Sequence, residues 1–160
     1  LRVTVIAAGR LKPGPERLLA EDYLTRAQGL GRKCGIARIG VAEFSESQAS
    51  SAAARMADEA RLFHSALPPR CFSIVLDERG KALASEDFAE LLRRNLDGGT
   101  PDMAFMIGGP DGHAAETRST AGLLMSFGPM TWPHRLVRVM LFEQIYRAIT
   151  IITGHPYHRI

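Results

Sequence analysis

The sequence predicts an α/β fold, a mainly parallel sheet of five to six strands with helices on both faces. Five short apolar runs alternate along the chain with segments whose apolar residues recur at three- and four-residue intervals. The last two runs, MAFMI and LLMSF, each break into a Gly/Pro-rich loop, and such loops can hold a small molecule with backbone groups. At 160 residues, 46% hydrophobic and 23% charged, the chain is the size of one domain with its own core, and large-scale disorder is excluded. Residues 1–160 are expected to form that single domain.

Residues 2–8, RVTVIAA, are β-branched and nearly all apolar, the pattern of a strand covered on both faces, and Gly9 ends it. Pro15 opens an amphipathic helix with Leu18, Leu19, Tyr23, Leu24 and Ala27 as its buried stripe, ending near Gly29 or Gly31. Residues 35–44 give a weaker second strand, interrupted by Gly40. An alanine-rich helix is predicted from Ser45 to about Leu67, stopped by Pro68-Pro69. FSIVL at 72–76 is the third strand, with Asp77 to Lys81 as its polar exit loop. Ser85 is the expected N-cap of a helix that buries Phe88, Leu91, Leu92 and Leu96. MAFMI at 103–107, a short polar helix around Ala114 to Thr120, and LLMSF at 123–127 follow. The last helix, about His134 to Thr153, is apolar on nearly all faces and must be covered on more than one side. Its own sheet supplies one side; a second copy of the chain, in a homodimer, is expected to supply another, the alternative being burial inside a thicker monomer.

Composition excludes several classes. No apolar run approaches the roughly 18 residues of a membrane span, and the N-terminal run is too short for a signal peptide, so a cytoplasmic protein is expected. Cys34 and Cys71 form neither a CxxC pair nor a zinc site and read as small buried hydrophobes. The formal charge of +3 is compatible with a polyanionic partner without requiring one.

Gly108 to Gly112 fits neither the dinucleotide nor the P-loop pattern, and reads equally as a turn needing positive φ or as a ligand loop. Asp111 and His113 stand ready for a ligand or for water. The second loop, with Gly128, Pro129, Met130, Thr131, Trp132 and Pro133, offers apolar walls and backbone hydrogen bonds for a flat heterocycle. Trp132 by itself reads more simply as core. Glu143 and Arg147, four apart on an apolar helix, predict a partly buried ion pair. Arg135 and Arg138 could hold phosphates or cap an acidic partner. The ending His155-Pro156-Tyr157-His158-Arg159 gathers groups suited to base stacking, proton transfer and phosphate binding, while its histidines lack the further ligands of a metal site.

Ile107-Gly108-Gly109-Pro110-Asp111-Gly112, Met130-Thr131-Trp132-Pro133-His134, Leu136-Val137-Arg138-Val139, Glu143-Gln144, Tyr146-Arg147-Ala148 and His155-Pro156-Tyr157-His158-Arg159 together resemble the signature of a known family. It is the small bacterial ribosomal RNA large subunit methyltransferase family of the SPOUT superfamily, and the resemblance extends from the opening strand to the last residues. It implies a deep C-terminal trefoil knot and S-adenosylmethionine as methyl donor. The implied reaction is methylation of N3 of a pseudouridine in 23S ribosomal RNA. With no appended RNA-binding domain, the implied substrate is the assembled ribosome. The matching cofactor positions are Leu76, Gly108, Phe127, Gly128, Pro129, Met130, Thr131 and Trp132. Homologues form dimers whose tails help complete a neighbouring site. The concentration of polar groups beside the cofactor loops makes Glu143, Arg147, Tyr157 and His158 the expected catalytic residues, with His158 or Glu143 assisting loss of the N3 proton, Arg147 fixing the RNA and Tyr157 packing on the target base. RNA contacts are expected from His134, Arg138, His155 and Arg159. Relatives often carry Leu where His113 stands, and Phe or Leu where Trp132 stands. The competing readings are a noncatalytic RNA-binding protein that retains the fold, and a methyltransferase of the same fold acting on another nucleoside.

Overall fold

The computed structural model describes residues 1–158. Its strands are β1 (Arg2–Ala8), β2 (Arg38–Phe44), β3 (Phe72–Ala82), β4 (Asp102–Ile107) and β5 (Leu123–Ser126). They form one sheet in the order β2-β1-β4-β3-β5, with every pairing parallel. Parallel neighbours cannot be joined by a tight turn, so each link is a crossover. The crossovers carry α1 (Pro15–Gly31), α2 (Ala52–Ala66), α3 (Ser85–Asp97) and α4 (Ala115–Ser119), and α5 (His134–Thr153) follows β5. The direction of growth reverses after β3: β4 inserts between β1 and β3, and β5 pairs on the far side of β3.

The pleat sorts side chains into two cores. Val3, Val5 and Ala7 of β1, Ile74 of β3, and Met103, Phe105 and Ile107 of β4 join residues of α1, α3 and α5 in the larger cluster. Ile6, Ala8, Val75, Ala104 and Met106 point the other way and meet Phe63 of α2. Helices therefore cover both faces, as the pattern predicts, and all six residues of β4 are buried. Across the opposite edge of the sheet from the loops, Arg2 donates to both carboxylate oxygens of its register partner Asp102, at 2.7 and 2.6 Å.

Several boundaries depart from the sequence expectation for local reasons. α2 begins at Ala52, because Ser51 is its N-cap, with Oγ accepting from the Ala54 N–H at 3.1 Å. Residues 45–50 stay outside the helix. There Ser47 donates to Asp58 at 2.7 Å and accepts from the Ala49 N–H at 3.2 Å, bonding that competes with helix formation. The expected exit loop from Asp77 to Lys81 is strand: β3 continues to Ala82, with a register shift against β5 between Leu76 and Lys81. Gly80 makes this approach possible, since a Cβ there would lie 2.5 Å from the Met125 backbone. Ser85 is the first residue of α3 rather than its cap, and its Oγ donates to Gln144 Oε1 of α5 at 2.8 Å. β2 starts at Arg38, after a short 3-10 turn over Arg32–Cys34.

α1 does not bury Leu18 and Leu19, which are 70% and 47% exposed. It buries Ala20, Ala27 and Gly31, small residues that let it lie against α5. α3 flanks α5 as well, and Leu141, Ile145 and Ile149 are sealed in the larger core. α1 and α3 thus cover much of α5 within the chain itself. Among the described residues, no helix is long and apolar enough to cross a membrane.

Candidate active site

Beside residues 76–79 of β3 and the carboxyl ends of β4 and β5 lies a cavity of about 660 Å³, within the roughly 300–1,000 Å³ usual for small-molecule sites. Leu76, Ile107, Met125, Phe127 and Val137 contribute apolar wall, residues 108–112 contribute backbone, and Asp77, Glu78, Arg79, Arg118 and His134 contribute charge or hydrogen bonding. Of the expected cofactor positions, Leu76, Gly108, Phe127, Gly128, Met130, Thr131 and Trp132 line it, and Pro129 does not. Trp132 is 39% exposed, so its reading as a core residue does not hold. Gly128 adopts φ 104, and Ser126 Oγ locks the turn by accepting from the Gly128 N–H at 3.1 Å and donating to its carbonyl at 2.9 Å.

The loop after β4 is a tight turn that also walls the cavity. Gly112 has φ 76, and its N–H donates to the Gly109 carbonyl at 3.0 Å. Asp111 and His113 both line the cavity, and Arg55 of α2 holds Asp111 through Nε at 2.6 Å and a second guanidinium nitrogen at 3.0 Å. That guanidinium keeps the Asp111 carboxyl below the usual carboxylate range. Gly109 N–H donates to Glu59 Oε2 at 3.2 Å, and burial pushes the Glu59 carboxyl up. His113 is 3% exposed, packs on Phe63 at 5.0 Å, and has no hydrogen-bond partner for either ring nitrogen among the described residues. Burial pushes its imidazole down to about 4, so it is neutral at ordinary pH. Arg55 and Glu59 were not legible as site residues. Their spacing with Phe63 on one helix face acquires meaning only once α2 is docked beside the loop.

Three of the expected catalytic residues, Glu143, Arg147 and Tyr157, form a second cluster beside the later turns of α5. Arg147 donates to Glu143 Oε1 through Nε at 2.9 Å and a terminal nitrogen at 2.6 Å, the ion pair that the four-residue spacing predicts. Gly154, at φ 68, stops the helix and turns the chain back. Tyr157 then packs 4.7 Å from the Tyr146 ring, beneath the Arg147 guanidinium at 5.1 Å, and donates to Glu143 Oε1 at 3.1 Å. Its hydroxyl is raised above the usual tyrosine range, by burial first and then by Tyr23 and Glu143. None of Glu143, Arg147 and Tyr157 lines the cavity of the same chain. His158 is half-buried, and His155 is exposed with Nδ1 accepting from the Tyr157 N–H at 3.2 Å. Arg159 lies outside the described residues.

The structure uses Arg138 differently from the RNA contact expected of it. It is 3% exposed, donates to the Ala8 carbonyl at 3.2 Å, and also bonds the Gly9 carbonyl and the Glu43 carboxylate. It therefore ties the start of α5 to the end of β1. His134 remains at the cavity wall. Among the described residues, no three or more His, Cys, Asp or Glu side chains converge as a metal site would require.

An all-parallel α/β sheet with glycine turns around a small-molecule-sized cavity at its strand ends defines a class: α/β proteins that take a ligand at the carboxyl edge of the sheet. Within that class the chain belongs to the SPOUT methyltransferase family, whose model, described as "Predicted SPOUT methyltransferase", matches residues 1–158. It is 52% identical over 159 residues to the "Ribosomal RNA large subunit methyltransferase H" of Rhodopseudomonas palustris strain HaA2, covering 99% of each chain. Proteins of the same name from Bradyrhizobium diazoefficiens and Brucella anthropi are 50% and 47% identical, again over 99% of each chain. Among solved structures, the SpoU methyltransferase AviRb of Streptomyces viridochromogenes, in complex with AdoMet, is a distant likeness. Its TM-score is 0.42 and its identity 13%, covering 96% of this chain and 61% of that one.

Proposed function

We propose that this chain is an S-adenosylmethionine-dependent methyltransferase acting on N3 of a pseudouridine in 23S ribosomal RNA, as a cytoplasmic homodimer on assembled ribosomes. The observation that carries this reading is the 52% identity, over 99% of both chains, to a protein named for large-subunit ribosomal RNA methylation. A single catalytic domain with a C-terminal trefoil knot belongs to the same reading.

The cavity fits the cofactor in size and chemistry. Leu76, Phe127 and Trp132 would hold the adenine between apolar surfaces, and the backbone of Gly108, Gly128, Met130 and Thr131 would supply hydrogen bonds. S-adenosylmethionine supplies a methyl group on a sulfonium, which transfers by in-line displacement. Positioning by these residues therefore carries most of the rate.

The acceptor N3–H must lose its proton. Glu143 Oε1 already accepts from Arg147 and Tyr157, and Oε2 accepts from Gln144 Nε2 at 2.7 Å. A carboxylate so engaged is a poor proton acceptor. His158 takes that role, while Glu143 orients Arg147 and Tyr157. Tyr157 packs on the target base, and Arg147 and Arg159 hold the RNA, with His134 and His155 beside them. Because Glu143, Arg147 and Tyr157 stand apart from their own cavity, the site is completed by the tail of a second copy. The exposed apolar side chains Leu18, Leu19 and Leu136 offer surface for such an association.

Incubation with labelled cofactor and ribosomal subunits, intact ribosomes or free RNA, followed by mapping of the modified nucleoside, tests the reading. Methylated pseudouridine from intact ribosomes is expected. No transfer, or a different nucleoside, rejects it. His158→Ala is expected to lose about 10²-fold or more in kcat with cofactor affinity unchanged; full activity would remove His158 from the mechanism.

A further inference from the structure

One stripe of α2 grips the glycine loop at three points. Arg55, Glu59 and Phe63 are four residues apart and so share a helix face. Arg55 forks onto Asp111, Glu59 accepts from the Gly109 N–H, and Phe63 lies against His113. The contacts fall on alternate residues of the loop: 109, 111 and 113.

The middle contact is the informative one. Glu59 is 5% exposed, a costly place for a carboxylate unless a specific bond compensates. Gly109 is shaped to receive it, since a Cβ there would lie 2.7 Å from Glu59 Oε1. Glu59 does not itself line the cavity, whereas Gly108 and Gly109 do. Gly108 is confined on its other side, where a Cβ would lie 3.1 Å from both the Gly112 carbonyl carbon and the His113 ring. The cavity wall is thus a strip of backbone held from behind by α2.

We infer that Glu59 is a positioning residue for cofactor binding: by holding the Gly109 N–H it fixes the backbone of Gly108 at the cavity wall. Arg55 and Phe63 pin the same loop farther along. This inference rests on the reading of the cavity as the cofactor site. Glu59 acts through Gly109 and touches no reacting atom.

Glu59→Gln and Glu59→Asp separate a hydrogen-bond clamp from general structural support. Glutamine keeps an acceptor oxygen at the same reach and removes the charge. Aspartate keeps the charge and is one methylene too short. In the full-length protein, cofactor affinity by calorimetry, the separate KM values for cofactor and ribosomes, and the thermal midpoint are measured for both variants. Glu59→Asp should weaken cofactor binding and raise cofactor KM about tenfold, the scale of one buried hydrogen bond, with ribosome KM near wild type and a lowered thermal midpoint that Glu59→Gln largely recovers. Glu59→Gln should restore affinity to within about threefold of wild type. Wild-type affinity in Glu59→Asp overturns the inference, as does an equal fall of affinity and thermal midpoint in both variants. Hydrogen exchange at the Gly109 amide supplies a readout independent of the cofactor, and should be about tenfold faster in Glu59→Asp than in Glu59→Gln. A wild-type protein that binds no S-adenosylmethionine would reject the functional reading, while equal exchange in the two variants would reject the clamp.

Discussion

At the residue scale, two buried polar groups couple the site to stability. His113 titrates near 4 when folded and near 6.5 when exposed, so between those values the unfolded chain binds a proton that the fold excludes. Its contribution is present above pH 6.5 and is lost as pH falls toward 4. Acidification from about pH 7 to about pH 5 should remove about 2 kcal/mol through this group, measurable by urea unfolding. Glu59, raised by burial, pulls the other way, so the informative quantity is the difference between wild type and His113→Leu, which should flatten the profile. Arg138 is the second group. Arg138→Ala leaves two backbone carbonyls and Glu43 without their donor, and should cost about 2–4 kcal/mol in chemical unfolding, less than a fully buried pair because Glu43 is 28% exposed. The Glu143–Arg147 pair was readable from spacing, because both partners lie on one helix. The burial of Arg138 was not, because Ala8, Gly9 and Glu43 are far away in sequence.

At the element scale, strands with uniform apolar runs were legible and polar edges were not. β4 could be read from MAFMI alone. The continuation of β3 past Leu76 could not, since Asp77, Glu78 and Arg79 carry the composition of a loop and become strand only because β5 lies alongside. Gly80 is the residue that permits this. Gly80→Val places side-chain atoms against the Met125 backbone and should cost about 1–3 kcal/mol through overpacking. Because Met125 leads through Ser126 into the loop lining the cavity, the same variant should lose cofactor affinity more than a surface variant of equal stability. Calorimetry beside urea unfolding checks both parts. The start of α2 was misplaced for a related reason: Ser45 to Gln48 has cap-like composition, but Ser51 is the residue whose Oγ meets an orphan helical N–H.

At the scale of the whole molecule, alternation of strand and helix was enough to give the class, the parallel pairing and helices on both faces. It could not give the insertion of β4 between β1 and β3, which depends on pairings between residues distant in sequence. The central layer is where stability concentrates. Phe105 is 1% exposed, with its ring centroid 5.6 Å from that of Phe88, and Phe105→Ala should cost about 3–5 kcal/mol in equilibrium unfolding. Ribosome affinity should fall as salt rises if arginines contact phosphate, and a flat salt series would remove that contact. The position of β4 also bears on synthesis. A nascent chain that has emerged only through β3 has made both strands that will flank β4 but lacks the strand that joins them. Each carries an unpaired row of backbone groups, the arrangement that invites pairing with other chains. The sheet can become continuous only after residues 102–107 leave the ribosomal tunnel. Refolding should therefore be slow for a chain of this length, and truncations ending before β4 should aggregate rather than form a smaller stable sheet.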